Sequence, residues 1–273
     1  MNQRLVIVIA AVVILGGVSW AVVTQVKGGG DGSLNSSSEP VNQLLEEAAQ
    51  YEAKGDKLKL KEAYTKIVTD YPEYDKVAET QDKLGNLNLS IIVSNIPTPQ
   101  TVSHQVVPGD SLGKLAKQYN TTKELIKESN GLKSDVIRVG QNLRIWNAPF
   151  EVLVNKSQNI LTLKSGNEVV KIYHVSTGAN NITPVGTFKI ATRLENPVWF
   201  KPGSAPIPPE SPENVLGTRW MGFDTDPHYG IHGTTEPDKI GQQVTAGCVR
   251  MRNNEVEELF DLLPAGTKVV IEN

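Results

Sequence analysis

The chain has 273 residues, of which 39% are hydrophobic and 21% are charged, and its formal net charge at pH 7 is −3. This balance is typical of a globular protein of about two domains, so wholesale disorder is excluded and a nucleic-acid partner is disfavoured. The single cysteine, Cys248, excludes an internal disulfide, so packed cores must supply the stability.

The chain begins with an uncharged apolar run, Leu5–Val26, between Arg4 and Lys27. About 20 apolar residues span a bilayer as a helix, whereas the apolar core of a cleaved signal peptide has about 7–15 residues. Residues 1–27 therefore predict an N-terminal transmembrane helix, with a cleaved signal peptide as the alternative. Arg4 favours a cytoplasmic N-terminus, so we expect inner-membrane anchoring with the other domains in the periplasm or facing the cell wall, or export after cleavage.

A helical region follows a flexible linker. Residues 28–40 are rich in Gly and Ser, and helical periodicity then extends over residues 41–92. Gly55-Asp56 and Tyr71-Pro72 interrupt that periodicity, and a third helix is predicted over about Asp75–Leu89. Five positions resemble one tetratricopeptide-type unit with a capping helix: Ala48, Tyr51, Gly55, Tyr64 and Pro72. Because a binding array needs three or more repeats, a small α-helical hairpin is predicted, acting as a spacer, a self-association element or a contact for a protein partner.

Residues 102–147 form the next predicted domain, after a proline-containing linker over residues 93–101. Their pattern is strand, Pro-Gly-Asp turn, helix, Asn-Thr-Thr cap, helix, Asn-Gly turn and strand. The motifs Val-x-x-Gly-Asp-x-Leu, Asn-x-Leu and Val-Gly-Gln-x-Leu-x-Ile resemble those of a LysM domain. This resemblance implies a βααβ fold that binds glycans containing N-acetylglucosamine, such as peptidoglycan.

The LysM resemblance also implies where the glycan groove lies. The matching positions are Gly109, Asp110, Ser111 and Leu112 in one loop and Val136 and Ile137 in the other. The first loop is equally consistent with a helix cap in which Asp110 or Ser111 is the N-cap residue. The excess of basic residues in this domain suits an anionic wall polymer, although a solvated basic face has the same composition.

From residue 150 to residue 273 the hydrophobic periodicity changes to two, in short runs rich in Val, Ile and Tyr. A Pro-rich stretch, Asn196–Pro212, interrupts these strands, and only Asn254–Leu263 has a clear helical period. Many short strands with few helices predict a mainly-β domain, either a sandwich or barrel-like. The predicted fold is thus multidomain. It consists of an N-terminal transmembrane helix, a small α-helical hairpin, a βααβ domain and a mainly-β domain.

Metal binding is not predicted from the four histidines. His104 and His174 lie in predicted strands, where a packed or surface role is typical. His228, His232 and Cys248 are chemically admissible zinc ligands, but no CxxC motif or helical HxxxH motif accompanies them. No cofactor is predicted either.

The pair that predicts chemistry is His232 with Cys248. A thiol has an unperturbed pKa of about 8.5, so it needs a base or a positive neighbour to react at neutral pH. His232 can supply the base, and Arg250 lies on the same face as Cys248 if this segment is extended, where it favours the thiolate or holds a substrate carboxylate. Gly247 permits a turn in which the N–H groups of Gly247 and Cys248 face an oxyanion. The alternative is a buried, inert cysteine.

The surrounding residues resemble the catalytic domain of the L,D-transpeptidases (YkuD type) over about Phe150–Glu272. The matching motifs are Tyr-Gly-Ile-His-Gly-Thr, Ile-Gly, Gly-Cys-Val-Arg-Met with Asn253, and Thr-Pro-x-Gly-x-Phe. The resemblance implies that Cys248 attacks a peptidoglycan stem tetrapeptide at the carbonyl of its third residue. D-alanine then leaves, and an amine of a neighbouring stem resolves the thioester into a 3→3 cross-link.

The same resemblance assigns roles to residues of the site. His232 is the general base, oriented by the backbone carbonyl of Gly233, while Tyr229, Thr245 and Arg250 occupy substrate-contact positions. Ala246 departs from the family, which often has a second histidine there, so substrate contacts or rate are in doubt. Two alternatives remain: an L,D-carboxypeptidase or hydrolase with water as acceptor, and a non-catalytic peptidoglycan-binding scaffold. The expected partners are stem peptides, glycan strands and the membrane.

Overall fold

The computed structural model describes residues 9–10, 13–14, 17–18, 21–22, 38–201 and 203–273, and the chain divides after Ile91 into two units. The first four pairs of residues are short strands that pair β1 with β4 and β2 with β3: β1 Ile9–Ala10, β2 Val13–Ile14, β3 Gly17–Val18 and β4 Ala21–Val22. The rest of the predicted anchor lies outside the described residues. Within the described ranges, no helix is long and apolar enough to cross a membrane. The anchor therefore stays a prediction.

Three helices form the first unit: α1 Ser38–Lys54, α2 Lys57–Asp70 and α3 Val77–Ile92. Asp56 is the N-cap of α2 and accepts a hydrogen bond from the backbone N–H of Lys59 at 3.2 Å, so the predicted break between the first two helices is confirmed. α1 begins before the predicted residue 41 because its first turn tolerates Pro40. The helical region is confirmed, while the tetratricopeptide resemblance stays a prediction.

The LysM fold is confirmed in the second unit. Strand β5 Thr101–Gln105 pairs antiparallel with β6 Asn142–Trp146, and between them lie α4 Leu112–Gln118 and α5 Lys123–Ser129. Ser111 caps α4, and Thr122 caps α5 by accepting from the N–H of Leu125 at 3.0 Å. The core holds one apolar stripe from each helix and one face of β6, including Leu115, Ile126, Leu143 and Ile145.

The remaining residues form a mainly-β domain. Its elements are β7 Phe150–Asn155, β8 Ile160–Ser165, β9 Glu168–His174, β10 Thr177–Gly178, β11 Gly186–Glu195, β12 Arg219–Phe223, β13 Gly230–His232, β14 Gln243–Thr245, β15 Val249–Arg250, α6 Asn253–Leu262 and β16 Lys268–Glu272. Eight of these strands form one sheet in the order β15-β13-β12-β11-β16-β7-β8-β9. The predicted helix over residues 254–263 is confirmed as α6.

The sheet curls so that its two edges meet, which favours the barrel-like alternative over the sandwich. Ser176, just after edge strand β9, exchanges backbone hydrogen bonds of 2.8 and 2.9 Å with Arg250 of the opposite edge strand β15. Nearby, β10 pairs parallel with β14. Strand β15, which follows Cys248, is thus hydrogen-bonded to β13 on one side and to Ser176 on the other.

The LysM domain packs directly on the mainly-β domain. Trp146, the last residue of β6, donates from its indole Nε1 to Ser165 Oγ at 3.1 Å and stacks on the Phe150 ring at a centroid distance of 6.1 Å. The Thr122 hydroxyl donates to the backbone carbonyl of Asp261 in α6. These contacts fix the orientation of one domain on the other.

Candidate active site

The sheet topology brings the predicted catalytic residues to one place. β13 and β15 are parallel neighbours, with Ile231 opposite Val249 and His232 opposite Arg250. Cys248 comes directly before β15. Because side chains alternate along extended backbone, Cys248 and Arg250 share one face, and His232 lies on that same face of the adjacent strand.

His232 is a buried, neutral imidazole in a defined tautomer. Its Nδ1 lies 2.7 Å from the carbonyl oxygen of Gly233, and since a carbonyl can only accept, Nδ1 carries the proton and Nε2 is left to accept one. Burial, and to a smaller extent the charge of Arg250, lowers the pKa of His232 to about 4, although the backbone carbonyls of Gly233 and Leu216 favour the protonated ring. The ring also stacks on Trp220 at a centroid distance of 5.9 Å, which fixes its plane. Gly233 thus occupies the position that its predicted role requires.

The Cys248 thiol is also neutral in this state. Burial raises its pKa to about 11, and the N–H of Gly230 and the charge of Arg250 offset this only in part. The thiol donates to the backbone carbonyl of His228, with Sγ 3.4 Å from the oxygen. A neutral thiol and a neutral imidazole in one site indicate base-assisted attack, in which the proton moves as the carbon–sulfur bond forms.

Arg250 is less available than its sequence position suggests. It is 7% exposed, and its Nη1 lies 3.0 Å from Glu236 Oε2, while the other oxygen of Glu236 lies 2.5 Å from Lys239 Nζ. Glu236 therefore neutralises part of the charge that would stabilise a thiolate. The Nε of Arg250 is buried, and no hydrogen-bond partner for it exists among the described residues.

The loop before the nucleophile is closed by its own hydrogen bonds. Thr245 is buried, its hydroxyl donates to the carbonyl of Cys248 at 2.7 Å, and it accepts from the N–H of Gly247 at 3.2 Å. One of the two predicted oxyanion donors is therefore already engaged. Gly247 has φ +121°, and a Cβ there would come within 2.4 Å of the Tyr229 ring. Tyr229 thus packs against the loop that carries Cys248.

Asn253, the first residue of α6, supports the histidine side of the site, a role the sequence alone did not reveal. Its Oδ1 accepts from the backbone N–H of Thr234 at 2.9 Å and of Thr218 at 3.4 Å. A Cβ at Gly233 or at Gly217 would come within 2.2 Å of this oxygen. Gly233 of the His-Gly motif is thus required for the close approach of Asn253. The position of Asn253 just after the motif Gly-Cys-Val-Arg-Met was the one signal in the sequence that could have indicated this role.

His228 and Ala246 flank the nucleophile on its solvent side. The His228 side chain is 81% exposed, and its Nδ1 lies 2.9 Å from Asp226 Oδ1. Ala246 is exposed, so the position of the family's second histidine faces solvent. No group of three His, Cys, Asp or Glu side chains that could hold a metal ion occurs among the described residues.

The predicted glycan-binding residues lie in two adjacent loops of the LysM domain. Val106 exchanges backbone hydrogen bonds of 2.8 Å with Gln141 and Gly140, so the loops leave β5 and β6 side by side. Leu112 is a core residue, Ile137 packs against that core, and Gly109 has φ +92° in an exposed turn. Ser111 is the N-cap, and Val136 is 73% exposed.

Asp110 has a different partner from the one a helix cap would give it. Its Oδ2 accepts from the N–H of Val107 at 2.9 Å and lies 2.8 Å from His104 Nε2. The Val107 hydrogen bond, followed by the His104 hydrogen bond, lowers the pKa of this carboxyl. Two further exposed valines, Val107 and Val139, lie in the same loops.

Comparisons with known proteins agree with this geometry. The L,D-transpeptidase catalytic domain family (YkuD) matches residues 149–271, and the LysM domain family matches residues 104–146. YqjB of Bacillus subtilis (strain 168), named as an L,D-transpeptidase, is 44% identical over 125 residues, which cover 44% of this chain and 69% of YqjB. YkuD of the same organism, named likewise, is 31% identical over 177 residues, which cover 62% of this chain and 98% of YkuD.

A solved L,D-transpeptidase from Mycobacterium smegmatis aligns over 50% of this chain and 65% of its own, with 15% identity and a TM-score of 0.39. The assignment rests on the sequence matches. They show a cell-wall protein built from a peptidoglycan-binding module and a catalytic domain. The chain belongs to the L,D-transpeptidase family, and its catalytic domain is joined to a LysM domain.

Proposed function

We propose that this protein forms 3→3 cross-links in peptidoglycan through a thioester on Cys248. The observation that supports the proposal most is the state of His232: a buried neutral imidazole whose Nδ1–H is committed to the Gly233 carbonyl. Such a ring carries no proton on Nε2, so this nitrogen can accept the thiol proton. The nucleophile comes directly before the neighbouring strand β15, in which Arg250 lies opposite His232.

In the first step Cys248 Sγ attacks the carbonyl carbon of the third stem residue while His232 Nε2 accepts the thiol proton. The N–H of Cys248 donates to the oxyanion, because the N–H of Gly247 is already bonded to Thr245. The tetrahedral intermediate then collapses, and the carbon–nitrogen bond to D-alanine breaks. His232 returns its proton to the departing amine, which leaves a thioester on Cys248.

In the second step an amine of a neighbouring stem attacks the thioester carbonyl. His232 accepts a proton from that amine, and the carbon–sulfur bond breaks. Sγ then recovers the proton, so the free enzyme is regenerated and no net charge accumulates. Arg250 and Tyr229 contact substrate at the edge of this site, and Thr245 keeps the loop closed.

The other domains supply location. In this proposal the two loops of the LysM domain around Gly109 and Val136 grip the glycan strand, and residues 1–27 hold the protein at the membrane with its catalytic domain outside the cytoplasm. Binding the wall at two points raises the effective concentration of stem peptides at Cys248. The helical unit over residues 41–92 separates the membrane from the wall or meets a protein partner.

Incubation with disaccharide-tetrapeptide, followed by mass spectrometry of the products, tests the proposal. The wild-type chain should release D-alanine and yield a cross-linked dimer, and the Cys248→Ala chain should yield neither while still sedimenting with sacculi. Free tripeptide without dimer would instead identify water as the acceptor and a carboxypeptidase. No reaction from a folded wild-type chain would leave only wall binding, and dimer from Cys248→Ala would refute the nucleophile.

A further inference from the structure

A carboxylate and an imidazole are paired in the turn that leads into the histidine strand β13. This turn, residues 226–229, is closed by a backbone hydrogen bond of 3.1 Å from the N–H of Tyr229 to the carbonyl of Asp226. Within it, Asp226 Oδ1 accepts from the N–H of His228 at 2.9 Å and lies 2.9 Å from Nδ1 of the same histidine. We call these two side chains, Asp226 and His228, the turn dyad. The steps assigned to Cys248 and His232 use neither of them.

The hydrogen bonds fix the chemistry that the turn dyad offers. Since a carboxylate only accepts, His228 Nδ1 carries a proton, and Nε2 of the neutral ring is left to accept one. Both hydrogen bonds, that from the backbone N–H first, lower the pKa of Asp226, so its carboxylate is charged at neutral pH. The side chain of His228 is 81% exposed and that of Asp226 is 45% exposed, so a ligand can reach both groups.

The turn dyad lies beside the nucleophile. The backbone carbonyl oxygen of His228 is 3.4 Å from Cys248 Sγ. Burial is the main reason that the pKa of Cys248 is raised, and the negative charge of Asp226 adds to this effect while the positive charge of Arg250 opposes it. Charges of opposite sign therefore act on the thiol from two different strands and the turns beside them.

The site thus has a cationic part and an anionic part. In the cationic part, Arg250 and Lys239 share the single carboxylate of Glu236, so a positive charge remains over. In the anionic part, Asp226 has no ion pair with a lysine or arginine among the described residues, and its one ionisable partner is His228. The anionic part therefore attracts a cationic group of the substrate.

The second step of the proposed reaction brings such a cation to Cys248. A primary amine of the kind found in lysine has an unperturbed pKa of about 10.4, so the acceptor arrives at neutral pH as an ammonium ion with no lone pair for attack. His232 is buried and takes the proton that is lost as the amine adds to the thioester. An earlier proton has to leave the ammonium ion first, to a base that lies at the surface of the site. His228 Nε2 is such a base.

We propose that the turn dyad is the acceptor subsite, in which Asp226 binds the primary ammonium group of the incoming stem and His228 Nε2 removes its first proton. This inference rests on the proposed function, because it concerns the second step of that reaction. Since water carries no charge, the turn dyad favours an amine over water as the acceptor.

The protons and bonds of this step balance. Once His228 has taken the first proton, the lone pair of the amine attacks the thioester carbonyl and His232 takes the second proton. The carbon–sulfur bond breaks, and Sγ recovers that second proton. The His228 imidazolium, stabilised by Asp226, releases the first proton to solvent. One ammonium ion and one thioester thus give one amide, one thiol and one proton.

The partition of the acyl-enzyme between amine and water tests the acceptor subsite. The full chain is incubated with disaccharide-tetrapeptide, which serves as donor and acceptor, and mass spectrometry measures the ratio of dimer to free tripeptide. This ratio does not depend on how fast the acyl-enzyme forms, so effects on the first step do not enter it. Asp226→Asn and His228→Gln should each lower the ratio by about tenfold or more.

A parallel incubation with added hydroxylamine separates acceptor recognition from general damage to the site. Hydroxylamine is uncharged at pH 7 and attacks without prior deprotonation, so the ratio of hydroxamate to free tripeptide should stay the same in both variants. The matched controls Asp75→Asn and His174→Gln remove an exposed carboxylate and an exposed imidazole elsewhere, and they should keep both ratios. Thermal unfolding establishes that each variant is folded, and His228→Gln decides the matter should Asp226→Asn fail to fold.

A fall in the dimer ratio alone, in both variants of the turn dyad, supports the acceptor subsite. An unchanged dimer ratio in either folded variant, an equal fall in the two ratios, or the same fall in the control variants would overturn it and leave cross-linking by the wild-type chain standing. A wild-type chain that forms no acyl-enzyme by intact mass, or that yields tripeptide without dimer, would refute the proposed cross-linking and the acceptor subsite with it.

Discussion

At the scale of single residues, the catalytic pair is held in its neutral form. The pKa of Cys248 is raised to about 11 and that of His232 is lowered to about 4, in each case chiefly by burial. An ion pair would need the opposite shifts. The site therefore avoids a standing thiolate, which in an exported enzyme limits oxidation of the thiol.

The rate at which iodoacetamide alkylates Cys248 should reflect this state. A thiol with a pKa near 11 gains thiolate about tenfold per pH unit, so the rate should rise by about that factor per unit between pH 7 and 9. His232→Gln should alkylate at the same rate because the ring it replaces carries no charge, yet it should form no acyl-enzyme. A rate plateau between pH 5 and 8 that disappears in His232→Gln would instead indicate a thiolate–imidazolium pair.

Gly247→Ala should abolish transpeptidation and lower the free energy of unfolding by about 1–3 kcal/mol, since the added Cβ meets the Tyr229 ring at 2.4 Å. Gly241→Ala is the matched control, because Gly241 has φ +91° but nothing within 4 Å of a Cβ. The control shares the backbone strain without the clash. Equal losses in the two variants, measured by product assay and urea unfolding, would show that the contact with Tyr229 is unimportant.

At the scale of elements, α6 does more than cover the sheet. Its first residue, Asn253, joins the loop before β12 to the loop after the histidine strand β13, through the N–H groups of Thr218 and Thr234. The helix therefore fixes the position of the Gly233 carbonyl, and through it the tautomer of His232. An amide oxygen is needed there, and the helix N-terminus presents it.

Asn253→Leu should leave the Thr234 N–H without a partner, at a cost of about 1–3 kcal/mol in the free energy of unfolding, and should slow cross-linking at least tenfold. Asn253→Asp keeps an acceptor oxygen and should restore most of the rate. The pH dependence of the cross-linking rate separates a positioning role from a purely structural one. If Asn253 positions His232, the acid limb of the profile should move in Asn253→Leu and stay in place in Asn253→Asp. Identical pH profiles in all three proteins would remove Asn253 from the mechanism.

Much at this scale could be predicted from the sequence. The caps at Asp56, Ser111 and Thr122, the two LysM helices and α6 follow from local residue choice, which acts within a few positions. The pairing of Glu236 with Arg250 and the exchange between Ser176 and Arg250 could not be predicted. These contacts depend on how a curled sheet joins its edges, and no local pattern encodes that closure.

At the scale of the whole molecule, the LysM and catalytic domains meet across a charged interface. Burial, followed by the nearby carboxylate of Glu124, raises the pKa of Asp261 to about 6, while Arg219 and Arg193 oppose the shift. The folded chain therefore holds this proton more tightly than the unfolded chain does. The contribution of Asp261 to stability is full below about pH 4 and is lost as the pH rises through 6.

Asp261→Asn should thus raise the free energy of unfolding at pH 8, by about 1–2 kcal/mol, and change it little at pH 4. Urea unfolding at the two pH values measures both differences. A variant at a half-buried acid of the same helix, Glu257→Gln, should show no such dependence. Equal stability of Asp261→Asn and wild type at pH 8 would mean that the interface does not raise the pKa of this carboxyl.

The site also shows where sequence reasoning reached its limit for the whole molecule. Cys248 and His232 follow from motifs, and the family matches confirm the two resemblances, to the L,D-transpeptidase catalytic domain and to the LysM domain. The contact between the Thr122 hydroxyl and the backbone carbonyl of Asp261 arises only when the two domains pack together. The sequence pattern marks Thr122 as part of a helix cap and gives no sign of this second contact, so packing alone reveals it.

The central claim is that Cys248 carries the acyl group and His232 moves the proton. Intact-mass spectrometry during the reaction with disaccharide-tetrapeptide tests it most directly. The wild-type chain should gain the mass of the substrate less D-alanine, on Cys248, while Cys248→Ala and His232→Gln should gain nothing. Release of D-alanine by Cys248→Ala, or an adduct on any other residue of a folded wild-type chain, would contradict the account.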